Sequence, residues 1–299
     1  MNKTPSKNFI FVGLFFTSLS SIFIKLSDSP SIIISAYRML FASLLWLGPV
    51  LYKDLNEFKK ISISDMLWCV LSGIFLALHF ATWIASLSMT TVASSTVLVA
   101  LSPVFVALFS YFVLKERIKT RSVVGIGVAI AGSIVIALGD AKVGGHALKG
   151  DLLALSGAVF VGGYLLIGGK LRAWMGVRVY VFIVYSIATV VLFLIAIATN
   201  VPIYPYPAEE ILIFFLLAFF CSMLGHSIYN WMLEYVSSTF VSVSTLGEPI
   251  FATILAFIIF NEIPSILTII GGAGVIIGLY IYIKSTGRKK PKIKGVKHE

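Results

Sequence analysis

Glu248, His79, His226 and Arg38 each stand inside a long apolar run, where a charged or titratable side chain is costly and so marks a candidate for function. Glu248 lies about midway along its run and precedes Pro249. The proline cannot bond back to the carbonyl one turn earlier, so a kinked or loosened helix is expected there. A carboxyl in that setting suits a switch that takes up and releases a proton. The structural alternative is a neutral Glu whose hydrogen bonds close the helix break.

Histidine changes charge near neutral pH. On helical spacing, His79 shares a face with Trp83, and His226 shares one with Tyr229 and Asn230, so the two faces are candidates for opposite walls of a central cavity. Arg38, about two turns into its run, can clasp a substrate carboxylate or phosphate in bidentate fashion, or else snorkel to headgroups or pair within the protein. Tyr164, Trp231, Ser94, Ser95 and Ser242 are further cavity candidates, and for each of them helix packing is the simpler account. The set Tyr37, Trp83, Tyr164, Tyr229 and Trp231 hints at an aromatic or amphipathic substrate, although aromatic residues also gather at the ends of membrane helices.

The elements that position these groups follow from solvent. Hydrophobic residues fill 59% of the 299 positions and charged residues only 12%, against roughly a quarter charged in a soluble domain. Apolar runs long enough for a bilayer, about 20 residues each, recur along the chain. Turn residues and charges divide it into ten spans, near 8–26, 31–52, 65–87, 91–114, 121–139, 150–170, 178–200, 209–233, 237–260 and 264–284. Lipid leaves unpaired backbone groups without partners, so the predicted fold is all-α integral membrane. The apolar N-terminal run has no small-residue cleavage site and reads as the first span rather than a signal peptide.

With the N-terminus inside, nineteen Lys and Arg fall on inner segments and three on outer ones, which predicts both termini in the cytoplasm. The net charge of +10 is concentrated in short loops and in a basic tail that suits anionic headgroups, not a nucleic acid. A shift of 146 residues superposes Val97 on Val243, Pro103 on Pro249, Phe105 on Phe251, Glu116 on Glu262 and Gly132 on Gly278. Lys25 falls on Lys170 at a slightly different offset, and His79 on His226 one residue out of register. Each half holds an odd number of spans, so the second must be inserted upside down, the usual architecture of secondary transporters. The expected division is a first repeat over 1–139, a second over 140–284 and the basic tail over 285–299. Pro103 and Pro249 mark the expected helix breaks. Glu116 and Glu262, each closing a span, are read as structural, placed where the next helix dipole favours a carboxylate.

These residues together resemble the EamA family of the drug/metabolite transporter superfamily. The resemblance rests on Tyr37-Arg38, on Thr90 to Ser95, on Leu101-Ser102-Pro103, on Leu114-Lys115-Glu116 and on the glycine-spaced fifth span from Gly125. The second half repeats it as Gly247-Glu248-Pro249, Asn261-Glu262 and Gly271 to Gly278, but has Ser186 near where the first has Arg38. It implies a secondary transporter of small metabolites working by alternating access across the inner membrane, exporting amino acids or related compounds. An importer or facilitator of the same fold, for example of nucleosides or nucleobases, is the alternative.

An integral-membrane enzyme is disfavoured, because the chain has no HExxH, no GxSxG and no paired Asp. ATP drive would need a GxxxxGK[ST] loop, which is absent. Cys69 and Cys221 fall in apolar runs with no spacing pattern, so neither a disulfide framework nor a metal site is expected. No cofactor is expected. The expected partners are a small-molecule substrate, membrane lipids and a coupling proton.

Overall fold

In a lipid interior a backbone amide finds its partner inside its own helix or not at all. The computed structural model, which describes residues 9–114, 120–141 and 145–286, meets that demand with helices, and no strand occurs among the described residues. Glu116 and most of the basic clusters at 115–119 and 287–297 lie outside those residues.

In chain order the helices are α1 (Phe9–Ser18), α2 (Ser20–Lys25), α3 (Ser31–Lys53), α4 (Leu55–Phe58), α5 (Ile63–Ser86), α6 (Val92–Val99), α7 (Ser102–Leu114) and α8 (Thr120–Ala141). Then come α9 (Gly145–Leu171), α10 (Val177–Ala198), α11 (Ala208–Leu216), α12 (Ser227–Met232), α13 (Ser238–Ser244), α14 (Glu248–Phe260) and α15 (Ile266–Thr286). Among the described residues, eight helical stretches are long and apolar enough to cross a membrane, and Phe9–Lys25 and Ile266–Tyr282 are shorter apolar helices.

Four expected spans are less regular than their hydropathy implies. The first splits into α1 and α2 at Leu19. The fourth splits into α6 and α7. The ninth splits into α13 and α14 around a tight turn at Thr245–Gly247. The eighth runs through a ten-residue π-helical stretch, Leu217–His226, between α11 and α12. The sixth begins earlier than expected, since α9 extends to Gly145. Hydropathy registers only that a run is apolar, so breaks and changes of pitch inside a run are invisible to it.

Polar residues fix the helix starts. The Ser62 hydroxyl accepts from the Asp65 amide, and Asp65 returns a bond to Ser62, a capping box at α5. Thr91 caps α6 through the Ser94 amide, and Ser237 caps α13 through the Phe240 amide. These two caps fall on one another under the same 146-residue shift.

α8 and α15 pack along their whole lengths through glycines. A Cβ at Gly132 would lie 2.5 Å from the Gly271 carbonyl oxygen, and one at Gly125 would lie 2.6 Å from that of Gly278. Backbone cannot give way as a side-chain tip can. Gly132→Ala is therefore expected to cost about 1–3 kcal/mol and to lower the melting temperature in detergent by several degrees. Gly127→Ala, on the same helix with nothing within 4 Å of its Cβ, is the control that leaves it unlowered.

At one end of the molecule two turns are stapled together. Arg178 donates twice to Asp54, at 2.6 and 2.8 Å, and the Glu57 carboxylate accepts from the Gly176 amide. The Arg178 guanidinium holds the Asp54 carboxyl below its usual range. Arg172, buried, reaches Glu234 at 2.6 Å and the Asn230 carbonyl at 3.0 Å.

Candidate functional site

The two broken helices face each other. α6 ends at Val99 and α7 restarts at Ser102-Pro103; α13 ends at Ser244 and α14 restarts at Glu248-Pro249. Each proline thus sits in the first turn of a new helix, where its missing N–H forfeits no intrahelical bond. The kink expected at Glu248-Pro249 is a full restart. α6 packs on α14 and α7 on α13, with α1, α5, α9 and α12 closing the sides.

Between the breaks lies a chamber lined by Thr17, Ser20, His79, Trp83, Thr96, Ser102, His226, Tyr229, Thr245 and Glu248, with Val99, Ala100, Val161 and Leu165. Its volume is about 40 Å³. A buried water needs roughly 10–15 Å³, so the chamber as it stands admits a few waters and no metabolite.

Glu248 is held from both halves of the chain. Tyr229 donates its hydroxyl to Oε1 at 2.9 Å, and Thr17 Oγ1 lies 2.7 Å from the same oxygen. Thr17 and Tyr229 are themselves 3.0 Å apart. The His79 ring stacks on Trp83 with centroids 5.8 Å apart, and the two histidine rings are 6.4 Å apart. His79 Nδ1 faces the Gly157 carbonyl at 2.9 Å. A carbonyl only accepts, so Nδ1 carries the hydrogen and Nε2 is left for other partners.

Two separate stretches, residues 8–138 and 148–284, match the sequence profile described as the EamA-like transporter family. The chain belongs to the EamA-like transporter family. Among its relatives, a protein of Clostridium kluyveri described as an uncharacterized transporter is 30% identical over 257 residues, covering 83% of this chain and 82% of its own. A second uncharacterized transporter, from Archaeoglobus fulgidus, is 27% identical over 271 residues, covering 88% and 91%. A solved crystal structure superposes with a TM-score of 0.65 at 18% identity, over 94% of this chain and 98% of that one. That last likeness is one of fold.

Within this EamA-like chain, Glu248, His79, His226, Trp83 and Tyr229 all line one chamber. Tyr164 and Asn230 form a buried hydrogen-bonded pair directly behind it, and Asn230 Nδ2 also donates to the His226 carbonyl at 2.8 Å. Arg38 does not snorkel, because its side chain is fully buried. Its guanidinium lies 4.2 Å from the centroid of the Phe80 ring. Nε donates to Ser222 and Nη1 to Ser20, both at 2.8 Å, and Ser20 is itself part of the chamber wall. Nη2 has no hydrogen-bond partner, and no carboxylate forms an ion pair with Arg38 among the described residues.

Tyr37 and Ser94 stand away from the chamber. Tyr37 donates to the Ile203 carbonyl and stacks on Phe214. Ser94 belongs to the α6 cap, and Ser95 bonds Ser86. Ser242 donates to the Thr239 carbonyl, and Trp231 packs edge-on against Phe9 and Tyr235. Glu262 does not serve the helix that follows it, as its position suggested, but reaches α6 across the molecule.

Five polar chamber residues were not anticipated: Thr17, Ser20, Thr96, Ser102 and Thr245. Two signals pointed to some of them. Thr17 to Ser21 is a hydroxyl-rich cluster inside an apolar run, and the 146-residue shift places Ser102 on Glu248.

Proposed function

We propose that this chain is a secondary transporter that moves small polar metabolites by alternating access, exporting amino acids or related compounds across the inner membrane. It is built as ten membrane helices in two inverted five-helix repeats, over 1–139 and 140–284, with both termini in the cytoplasm.

The helix packing supports the repeat reading. Exchanging the halves pairs α3 with α10 and α8 with α15, and both of these pairs are in contact. The same exchange converts the α5·α9 contact into that of α1 with the π-helical stretch, and both occur. It also interchanges the two broken helices. The charge count along the chain supports the orientation, and the family resemblance favours export.

The observation that carries the proposal is the small chamber between the two halves, with polar groups on its walls. It offers a carboxylate, Glu248, on one wall and a buried cation, Arg38, immediately behind another. Trp83 Nε1 on the wall also lacks a hydrogen-bond partner among the described residues. A zwitterion answers those groups, with its ammonium at Glu248 and its carboxylate toward the Ser20–Arg38 corner. Glu248, free to take up a proton when no ammonium is present, is the coupling group.

Metabolite profiling of the medium tests this, comparing cells that express the intact protein, Glu248→Gln or an empty vector. Amino acids or their close derivatives should accumulate outside only with the intact protein. Accumulation of a different class would replace the substrate reading, and no accumulation of any class would overturn export.

A further inference from the structure

We propose that Lys25 and Glu262 form the clasp that closes one mouth of the chamber, and that opening to that side requires their separation. Glu262 belongs to the second half, and its carboxylate is shared between two elements of the first. Oε2 accepts from Lys25 Nζ at 2.8 Å, and Oε1 accepts from the Val92 amide at 2.5 Å.

Val92 is the first residue of α6, so the carboxylate satisfies an amide that has no intrahelical acceptor and meets the positive end of that helix. The left-handed turn at Asn261, with φ of 53°, ends α14 and redirects the chain immediately before Glu262. The pair is largely shielded, with Lys25 27% and Glu262 16% exposed.

The clasp stands directly over the chamber. Thr96 on the chamber wall lies one helical turn past Val92, roughly 6 Å along α6. Ser20, also in the chamber wall, lies five residues before Lys25, roughly 7.5 Å along α2. Lys25, Val92 and Glu262 thus join the ends of the first, fourth and ninth predicted spans at a single point. The two bonds to Glu262 tie α2, α6 and the end of α14 together across that face of the chamber. Lys170, the sequence counterpart of Lys25 in the second half, lies instead over the Trp68 ring, 3.9 Å from its centroid.

The test needs no transported substrate, so it stands or falls separately from the metabolite reading. In a background with Cys69 and Cys221 replaced by alanine, a single cysteine at Val99, in the chamber wall, is labelled with a bulky membrane-impermeant methanethiosulfonate. Right-side-out and inside-out vesicles are compared, and an Asp28→Cys protein identifies the clasp face. Glu262→Gln and, separately, Lys25→Met should each raise the labelling rate from the clasp face by roughly tenfold, the shift that follows loss of one charge-assisted hydrogen bond. Lys25→Met leaves the Glu262–Val92 bond in place, so it decides the matter should the Glu262 variant fold poorly. An unchanged rate, or a rise confined to the opposite face, overturns the clasp.

Discussion

Glu248→Gln is expected to abolish accumulation driven by a pH gradient while leaving substrate exchange measurable. Glutamine keeps the shape of the side chain and an oxygen to accept from Tyr229 and Thr17, so the contact between α1, α12 and the start of α14 survives. What it removes is the one carboxyl among the described residues of the chamber wall, and with it the proton that this carboxyl can take up and release. One pH unit is worth about 1.4 kcal/mol. A carrier that moves one proton per substrate can therefore sustain about a tenfold concentration ratio across such a gradient. In proteoliposomes that ratio should collapse to unity in the variant, while counterflow of labelled substrate persists. If the ratio survives, Glu248 is a structural residue that closes the helix break.

Arg38→Gln is expected to weaken recognition of a carboxylate selectively. Arg38 is buried with two neutral hydroxyls and a ring face as its partners, and Nη2 is unused. The chamber is too small for a metabolite as it stands, so loading must widen it. Displacement of Ser20 is the shortest route from the wall to the guanidinium. A hydrogen bond to a charged group is worth about 1.5–3 kcal/mol, so the half-saturating concentration of a transported amino acid should rise roughly ten- to a hundredfold. Its amide analogue should change little. Arg38→Lys should not restore binding, because an ammonium provides neither the planar face that rests on Phe80 nor the fixed fork of donors. Equal losses for acid and amide would assign Arg38 to packing. Thermal stability serves as the control, since removing a buried cation without an ionic partner need not destabilise the fold.

Sequence by itself determined much of this protein because lipid leaves the backbone few choices. Apolar runs had to be helices, and hydropathy located them to within a few residues. Glu248-Pro249 announced both a costly acid and a helix boundary. The spacing of His79 with Trp83 and of His226 with Tyr229 placed them on shared faces, and those faces converge on the chamber. Even the one-residue misregister between His79 and His226 has a structural counterpart. The eighth span accommodates a stretch of wider pitch, Leu217–His226, that the third lacks.

Only the tertiary structure decided which partner each polar group took. Nothing local assigns Glu262 to Lys25 and Val92, which are 237 and 170 residues away, in place of the helix that follows it. Thr17 was one hydroxyl among several in its span until packing brought it to Glu248, 231 residues on. Arg38 was equally consistent with headgroups, a substrate or an internal site, and the packing of α3 against the π-helical stretch buried it beside Ser222. A helix fixes the direction of a side chain through its own periodicity, which sequence displays. The group that side chain meets is fixed by how helices cross, and that depends on glycine contacts, helix breaks and changes of pitch distributed over the whole chain.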